Sequence, residues 1–221
     1  TIASYLSGLR MCHIALGLGE PYLRSPIVNQ LLQGKKHVDV WEKRASKKPS
    51  RLPVTPAVMT LIRAALREAD MSREQKALIW TVSTILYAGL FRIHEILART
   101  SRTFDPDFCL LGKDIILTAS GNVPALQVRI KGEKKDRVGV HSLVDVYHTG
   151  GKACPVTAFM KWKSISSCFE GNMPAFRLPS GCPLTGKTYN RYLKELLDKH
   201  LDYERGSISS NSFRSGMASI M

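Results

Sequence analysis

No stretch of this sequence stays apolar for the roughly 18 residues a membrane-spanning helix needs. No basic segment followed by an apolar one opens it at Thr1, so neither a membrane span nor a signal peptide is read here. Cysteine is sparse and scattered. The five thiols, Cys12, Cys109, Cys154, Cys168 and Cys182, are odd in number and form no C-x-x-C pair. That pattern indicates neither a disulfide framework nor a zinc site, and the expectation is reduced thiols, no metal, no cofactor and a nuclear or cytosolic setting. Repeats and low-complexity tracts are missing too. Acidic residues are scarce: 18 Asp and Glu face 32 Lys and Arg, a formal charge of +14 that favours a polyanionic partner, nucleic acid first. A chance excess of bases, or attraction to acidic membranes, would produce the same total.

The positive charge is unevenly spread. Lys35, Lys36, Lys43, Arg44, Lys47, Lys48 and Arg51 crowd one stretch that also holds Pro49, Ser50 and Pro53 and lacks helical periodicity. It reads as a basic linker able to follow DNA phosphates, with residues 1–45 as a helical unit before it, 46–53 as the linker proper and 54–221 as the larger domain. With 44% hydrophobic residues in 221, the chain can bury one ordinary core and a smaller second one.

Periodicity makes the fold class mainly α with a small antiparallel β-sheet, an α+β arrangement. Ile2, Tyr5, Leu6, Leu9, Cys12 and Leu16 share one helical face, and Ser25-Pro26 opens a short helix to about Gly34. Thr55-Pro56 starts a helix with Met59, Ile62, Leu66 and Ala69 on one side. Ser72 and Gln75 form a capping box before Leu78, Ile79, Val82, Ile85 and Leu86, a helix apolar enough to be central, ended by Gly89. "DIILTA" (114–119), "ALQVRIK" (125–131) and "RVGVHSLV" (137–144) read as strands. Cys154-Pro155 and Thr185 each start a further helix, and "SSNSFRSG" near the end has capping residues before Phe213. The sequence opens inside one helical pattern and stops inside another, which predicts further chain on both sides.

"GCPLTGKT", Gly181 to Thr188, fits the phosphate-binding G-x-x-x-x-G-K-T in full and makes a P-loop nucleotide-binding protein an alternative. Its surroundings argue against it. "NMPAFRLPS" is no buried feeding strand, and Pro183 removes an N–H from a loop whose function is to donate them, so Thr185 is expected to be a plain helix cap.

"GLFRIHEILA" (89–98) places an arginine, Arg92, on what should be the buried side of a helix, with Glu95 three residues on. Followed by three strands with "IKGEKKDR" between the second and third, and by "NSFRSG", this order resembles the catalytic domain of tyrosine recombinases, the phage-integrase-like enzymes. "TIASYLSGLRMCHIALG", "CPVTAF" and "SSNSFRSGMAS" are closest in flavour to the recombinases of crypton and DIRS mobile elements. The resemblance covers essentially the whole chain, with residues 1 to about 45 matching the end of the helical, SAM-like core-binding domain. It implies a site-specific recombinase or integrase that breaks and rejoins double-stranded DNA through a 3′-phosphotyrosine, working as a homo-oligomer, a tetramer on DNA.

The site the resemblance implies is Arg92 with Glu95 in support, Lys134 on the hairpin, and Asn211 with Arg214. Two planar guanidiniums, Arg92 and Arg214, can grip both non-bridging oxygens of a pentavalent phosphate. A lysine on a flexible stem can protonate the leaving 5′ oxygen, and Lys131 and Lys135 compete with Lys134 for that task. Asn211 stands where the family has His and cannot carry a proton at neutral pH. No tyrosine follows Arg214. Tyr189, Tyr192 and Tyr203 precede it and read as helix packing, so the implied chain holds DNA but lacks its own nucleophile. A non-catalytic DNA-binding protein derived from such a recombinase is the second reading.

Overall fold

The computed structural model describes residues 2–18, most of 26–38, and 52–102, 104–131, 141–198 and 208–218. Two compact units emerge, Thr1–Ser50 and Arg51–Met221. In the first, helix α1 spans Ile2–Ala15, and residues 26–38 are helical wherever described, so helix continues past Gly34. Lys35 is on this helical backbone and exposed. The other cations of the basic stretch, Lys36, Lys43, Arg44, Lys47, Lys48 and Arg51, lie outside what can be described of side chains.

The second unit is built around one buried helix. Thr55 caps α2 (Pro56–Glu68), its hydroxyl accepting the Val58 N–H at 3.4 Å, with Pro56 in the first turn where no N–H is required. Helix α3 (Arg73–Gly89) starts from the expected capping box. Ser72 Oγ accepts from Gln75 N at 3.1 Å, and Gln75 Oε1 accepts from Ser72 N at 3.4 Å. Leu78, Ile79, Val82, Ile85 and Leu86 are fully buried, and so are Thr81, Ser83 and Thr84. These hydroxyls are tolerated because each finds an acceptor: Thr81 on Ala158 O at 3.0 Å, Ser83 on Ile79 O at 2.8 Å, Thr84 on Thr81 O at 2.9 Å.

Around α3 pack α2, the sheet edge and two later helices. Strands β1 (Ile115–Ser120), β2 (Val123–Ile130) and β3 (Ser142–Tyr147) form an antiparallel sheet in the order β1-β2-β3. Ser120 pairs with Val123, which leaves Gly121 and Asn122 as a two-residue hairpin loop with Gly121 at φ +61°. The third strand starts later than its sequence suggests, at Ser142, and residues 132–140 lie outside the described set. Helix α5 (Pro155–Ile165), reached after the short helix α4 (Ile93–Ile96), contributes Phe159 and Trp162 to an aromatic cluster with Phe169 and Phe176. Helix α6 spans Gly186–Asp198 and helix α7 Ser210–Ala218.

Helix α7 is tied down by backbone. Val54 N donates to Ser212 O at 2.9 Å, and Gly216 lies so close to residue 54 that an added Cβ would fall 1.9 Å from the Val54 carbonyl oxygen. Only a residue without a side chain fits there. Among the described residues no helix is long and apolar enough to cross a membrane, and no group of three metal-ligating side chains occurs.

Candidate phosphate site and nucleic-acid interface

The segment "GLFRIHE" turns a corner instead of continuing the helix. Leu90 caps α3 in the left-handed region (φ 55°, ψ 24°), the one described non-glycine residue with positive φ. Phe91 then folds back over Gly89, where a Cβ would fall 2.1 Å from the Phe91 ring, and is itself buried. Arg92 emerges on the far side of that corner. This corrects the expectation of a buried arginine: its side chain is 46% exposed, because the chain leaves the helix two residues before it. A left-handed non-glycine residue is a strained one, and here it aims the next exposed side chain.

Glu95 holds Arg92 at both ends. Its Oε2 accepts the Arg92 backbone N–H at 2.7 Å, and its Oε1 accepts Arg92 Nη1 at 2.9 Å, with the carboxylate itself only 11% exposed. A guanidinium presents five N–H donors. With Nη1 engaged on Glu95, no acceptor among the described residues takes up the remaining edge.

The second arginine is carried by α7. Arg214 and Asn211 are both exposed, whereas Ser210, Ser212 and Phe213 are buried. Helix α6 links the two arginine-bearing elements. At its start Ile93 sits over Gly186, 3.1 Å from where a Cβ would be, and Ala98 bridges Thr185 in parallel. One turn on, Asn190 Oδ1 accepts the Ser210 backbone N–H at 2.9 Å and so orients the first turn of α7 beside Asn211. Tyr189, fully buried, donates or accepts at Ser83 Oγ across 2.7 Å, and its ring lies tilted against Phe213 with centroids 6.3 Å apart. The element carrying Arg92 and the helix carrying Arg214 therefore rest on successive turns at the start of α6. Asn190 escaped the sequence reading because its partner is 20 residues away and nothing local marks it.

Tyr189 packs as expected, and Tyr192 does likewise, its hydroxyl accepting from Gln75 Nε2 at 3.4 Å. Tyr203 lies outside the described residues, as do Lys134 and Lys135. Lys131 is described, and it is committed elsewhere. Its Nζ lies 2.5 Å from Asp114 Oδ2 and 3.0 Å from Pro106 O, with 9% and 3% of the two side chains exposed. Asp114 also accepts the Leu111 N–H at 2.9 Å. A lysine so buried and paired ties β2 to the turn before β1.

The "GCPLTGKT" stretch is built as a turn and a cap. Leu178 N donates to Cys182 O at 2.8 Å and Gly181 N to Leu178 O at 2.8 Å, so a tight reversal precedes it where a P-loop has a parallel strand. Thr185 Oγ1 accepts from Thr188 N at 3.1 Å, the cap read from sequence.

No family model and no curated protein matches the chain. Solved structures do. The XerH site-specific recombinase bound to difH substrate shares 14% identity at a TM-score of 0.51, over 77% of this chain and 43% of that one. The fold is that of a tyrosine recombinase. The Tn1549 transposon integrase in complex with circular intermediate DNA (16% identity, TM-score 0.48, 79% and 55% covered) and the lambda integrase dimer bound to a COC′ core site (13%, 0.49, 96% and 55%) also match. The chain spans about half the length of these proteins or less, and at such identities the likeness concerns fold alone.

Proposed function

We propose that this chain binds double-stranded DNA as a tyrosine-type site-specific recombinase or integrase, with Arg92 and Arg214 clamping the phosphate to be cut. The observation that carries the reading is the shared seat of their two elements on the first two turns of α6, through Ile93 on Gly186 and Asn190 on Ser210. Breaking a phosphodiester by direct attack loads charge onto the non-bridging oxygens, and two guanidiniums approaching from different elements stabilise that charge more than the ground state. Glu95 positions the first. Lys134 serves as the acid toward the leaving 5′ oxygen, and Asn211 hydrogen-bonds the phosphate without moving a proton. The basic stretch from Lys35 to Arg51 supplies sequence-independent attraction to the duplex. Oligomerisation on DNA, a nuclear setting and descent from a mobile element belong to the same reading.

A version of the chain carrying a tyrosine-bearing segment after Met221 should form a covalent, detergent-resistant adduct with a suitable DNA site, without metal or ATP. Arg92→Ala or Arg214→Ala should abolish the adduct while leaving most non-specific affinity intact. A loss of bulk DNA affinity equal to the loss of adduct would instead mean that these arginines are ordinary backbone contacts. Asn211, standing where the resemblance has a proton-carrying His, favours the second reading, a DNA-binding protein without chemistry. That reading would hold if no adduct forms even when Asn211→His is added.

A further inference from the structure

Toward the other end of α3 from Arg92, in a helix about 25 Å long, the surface holds a pocket of about 570 Å³ between α2, α3 and α5. Its floor is apolar, with Leu66, Trp80 and Ile165. Its walls are cationic: Arg63, Arg67, Arg73, Lys76, Lys152 and Lys161 line it, and no carboxylate does.

Two of these cations have structural duties. Arg63 Nη1 donates to Lys152 O at 2.8 Å, with its guanidinium carbon 5.6 Å from the Trp80 ring centroid, and Lys76 Nζ donates to Arg67 O at 3.0 Å. The other four, Arg67, Arg73, Lys152 and Lys161, have no ion pair among the described residues. They come from the end of α2, the start of α3, the loop before α5 and α5 itself. Four like charges around one concavity raise its potential and leave it short of counter-charge.

We infer that this pocket binds a compact ligand carrying several phosphoryl groups, of the nucleoside polyphosphate or inorganic polyphosphate class. The volume falls within the range of about 300–1,000 Å³ usual for small-molecule sites. A DNA duplex fits it poorly, because its phosphates lie on a convex cylinder while these cations face into a recess between three elements. An apolar floor beside the cations suits an organic base attached to the phosphates. The inference does not depend on the recombinase reading, since neither Arg92 nor Arg214 lines the pocket. It also differs from a P-loop: "GCPLTGKT" contributes no residue to it.

The test is calorimetric titration of the full chain at low salt with sodium tripolyphosphate, with ATP, and with a short DNA duplex. Arg73→Ala combined with Lys161→Ala should weaken tripolyphosphate at least about tenfold and change duplex affinity far less, as expected for counterions released at a separate site. ATP should bind more tightly than tripolyphosphate if nucleotides are the source, because the base adds contact with the apolar floor, and no more tightly if inorganic polyphosphate is. Lys187→Ala should leave tripolyphosphate affinity unchanged. Both substituted cations are exposed, so the fold should survive, and a Lys-for-Arg and Arg-for-Lys exchange at the same two positions should retain most of the binding. Tripolyphosphate affinity insensitive to the double substitution would overturn the inference. So would a duplex affinity that falls as much as the tripolyphosphate affinity, which would assign the pocket to DNA.

Discussion

Asp114 and Lys131 illustrate how a residue that looks functional can be spoken for. A pair with one partner half-exposed, such as Arg92 with Glu95, is worth about 1 kcal/mol, and Arg92→Ala should cost no more than about that, since Glu95 still accepts the backbone N–H of residue 92. Asp114 and Lys131 are buried on both sides. Removing one partner strands the other charge, so Asp114→Asn should cost about 3–5 kcal/mol, visible as a lowered urea midpoint, whereas adding Lys131→Met should recover much of it. Tyr189 offers a second residue-level prediction. Burial raises its hydroxyl pKa well above the ordinary value of 10.0, with the Ser83 hydrogen bond opposing only in part. Above about pH 10 the unfolded chain releases that proton while the folded chain keeps it, so stability that is complete below that pH falls as pH rises. Tyr189→Phe should cost about 1 kcal/mol at neutral pH and flatten this alkaline decline, as read from Tm measured between pH 8 and 11.

At the scale of elements, α7 is the segment most exposed to a single error. It is short, it touches α3, and its docking depends on Gly216 lying against Val54. Gly216→Ala places a methyl group where the Val54 carbonyl already is, and since backbone cannot rotate away as a side chain can, the helix must lift. The expected result is a loss of several kcal/mol, more than the roughly 1 kcal/mol gain that Ala gives over Gly in an ordinary helix. Amide exchange should show faster opening across residues 208–218 with α3 still protected. If the variant is as stable as the parent, the close approach of α7 to residue 54 is wrong.

For the whole molecule the controlling quantity is charge. At +14, with a cluster of cations between Lys35 and Arg51, DNA binding should release several counterions. Affinity for a duplex should then fall by orders of magnitude between about 50 and 200 mM salt. Filter binding or anisotropy at several salt concentrations reads the slope. A flat dependence would remove the nucleic-acid partner, and with it the proposed function, while leaving the pocket between α2, α3 and α5 to be tested separately.

Much of this architecture was legible in advance because the signals are local. Thr55-Pro56, Ser72 with Gln75, and Thr185 each satisfy N–H groups within three residues, and the alternation of Leu126, Val128 and Ile130 needs no more than its own strand. The all-apolar face of Leu78 to Leu86 announces a central helix for the same reason: burial periodicity is written residue by residue. The exposure of Arg92 was not legible, since it follows from one left-handed residue, Leu90, and from Phe91 folding back over Gly89. Nor could local pattern choose among the hairpin lysines. Lys131 is withdrawn by a carboxylate 17 residues earlier, an attraction that exists only after β2 has come alongside the turn before β1. The seat shared by α4 and α7 on α6 has the same origin, because Ile93 is 93 residues before Gly186 and Asn190 is 20 before Ser210, and each pair meets only when the chain has packed around α3.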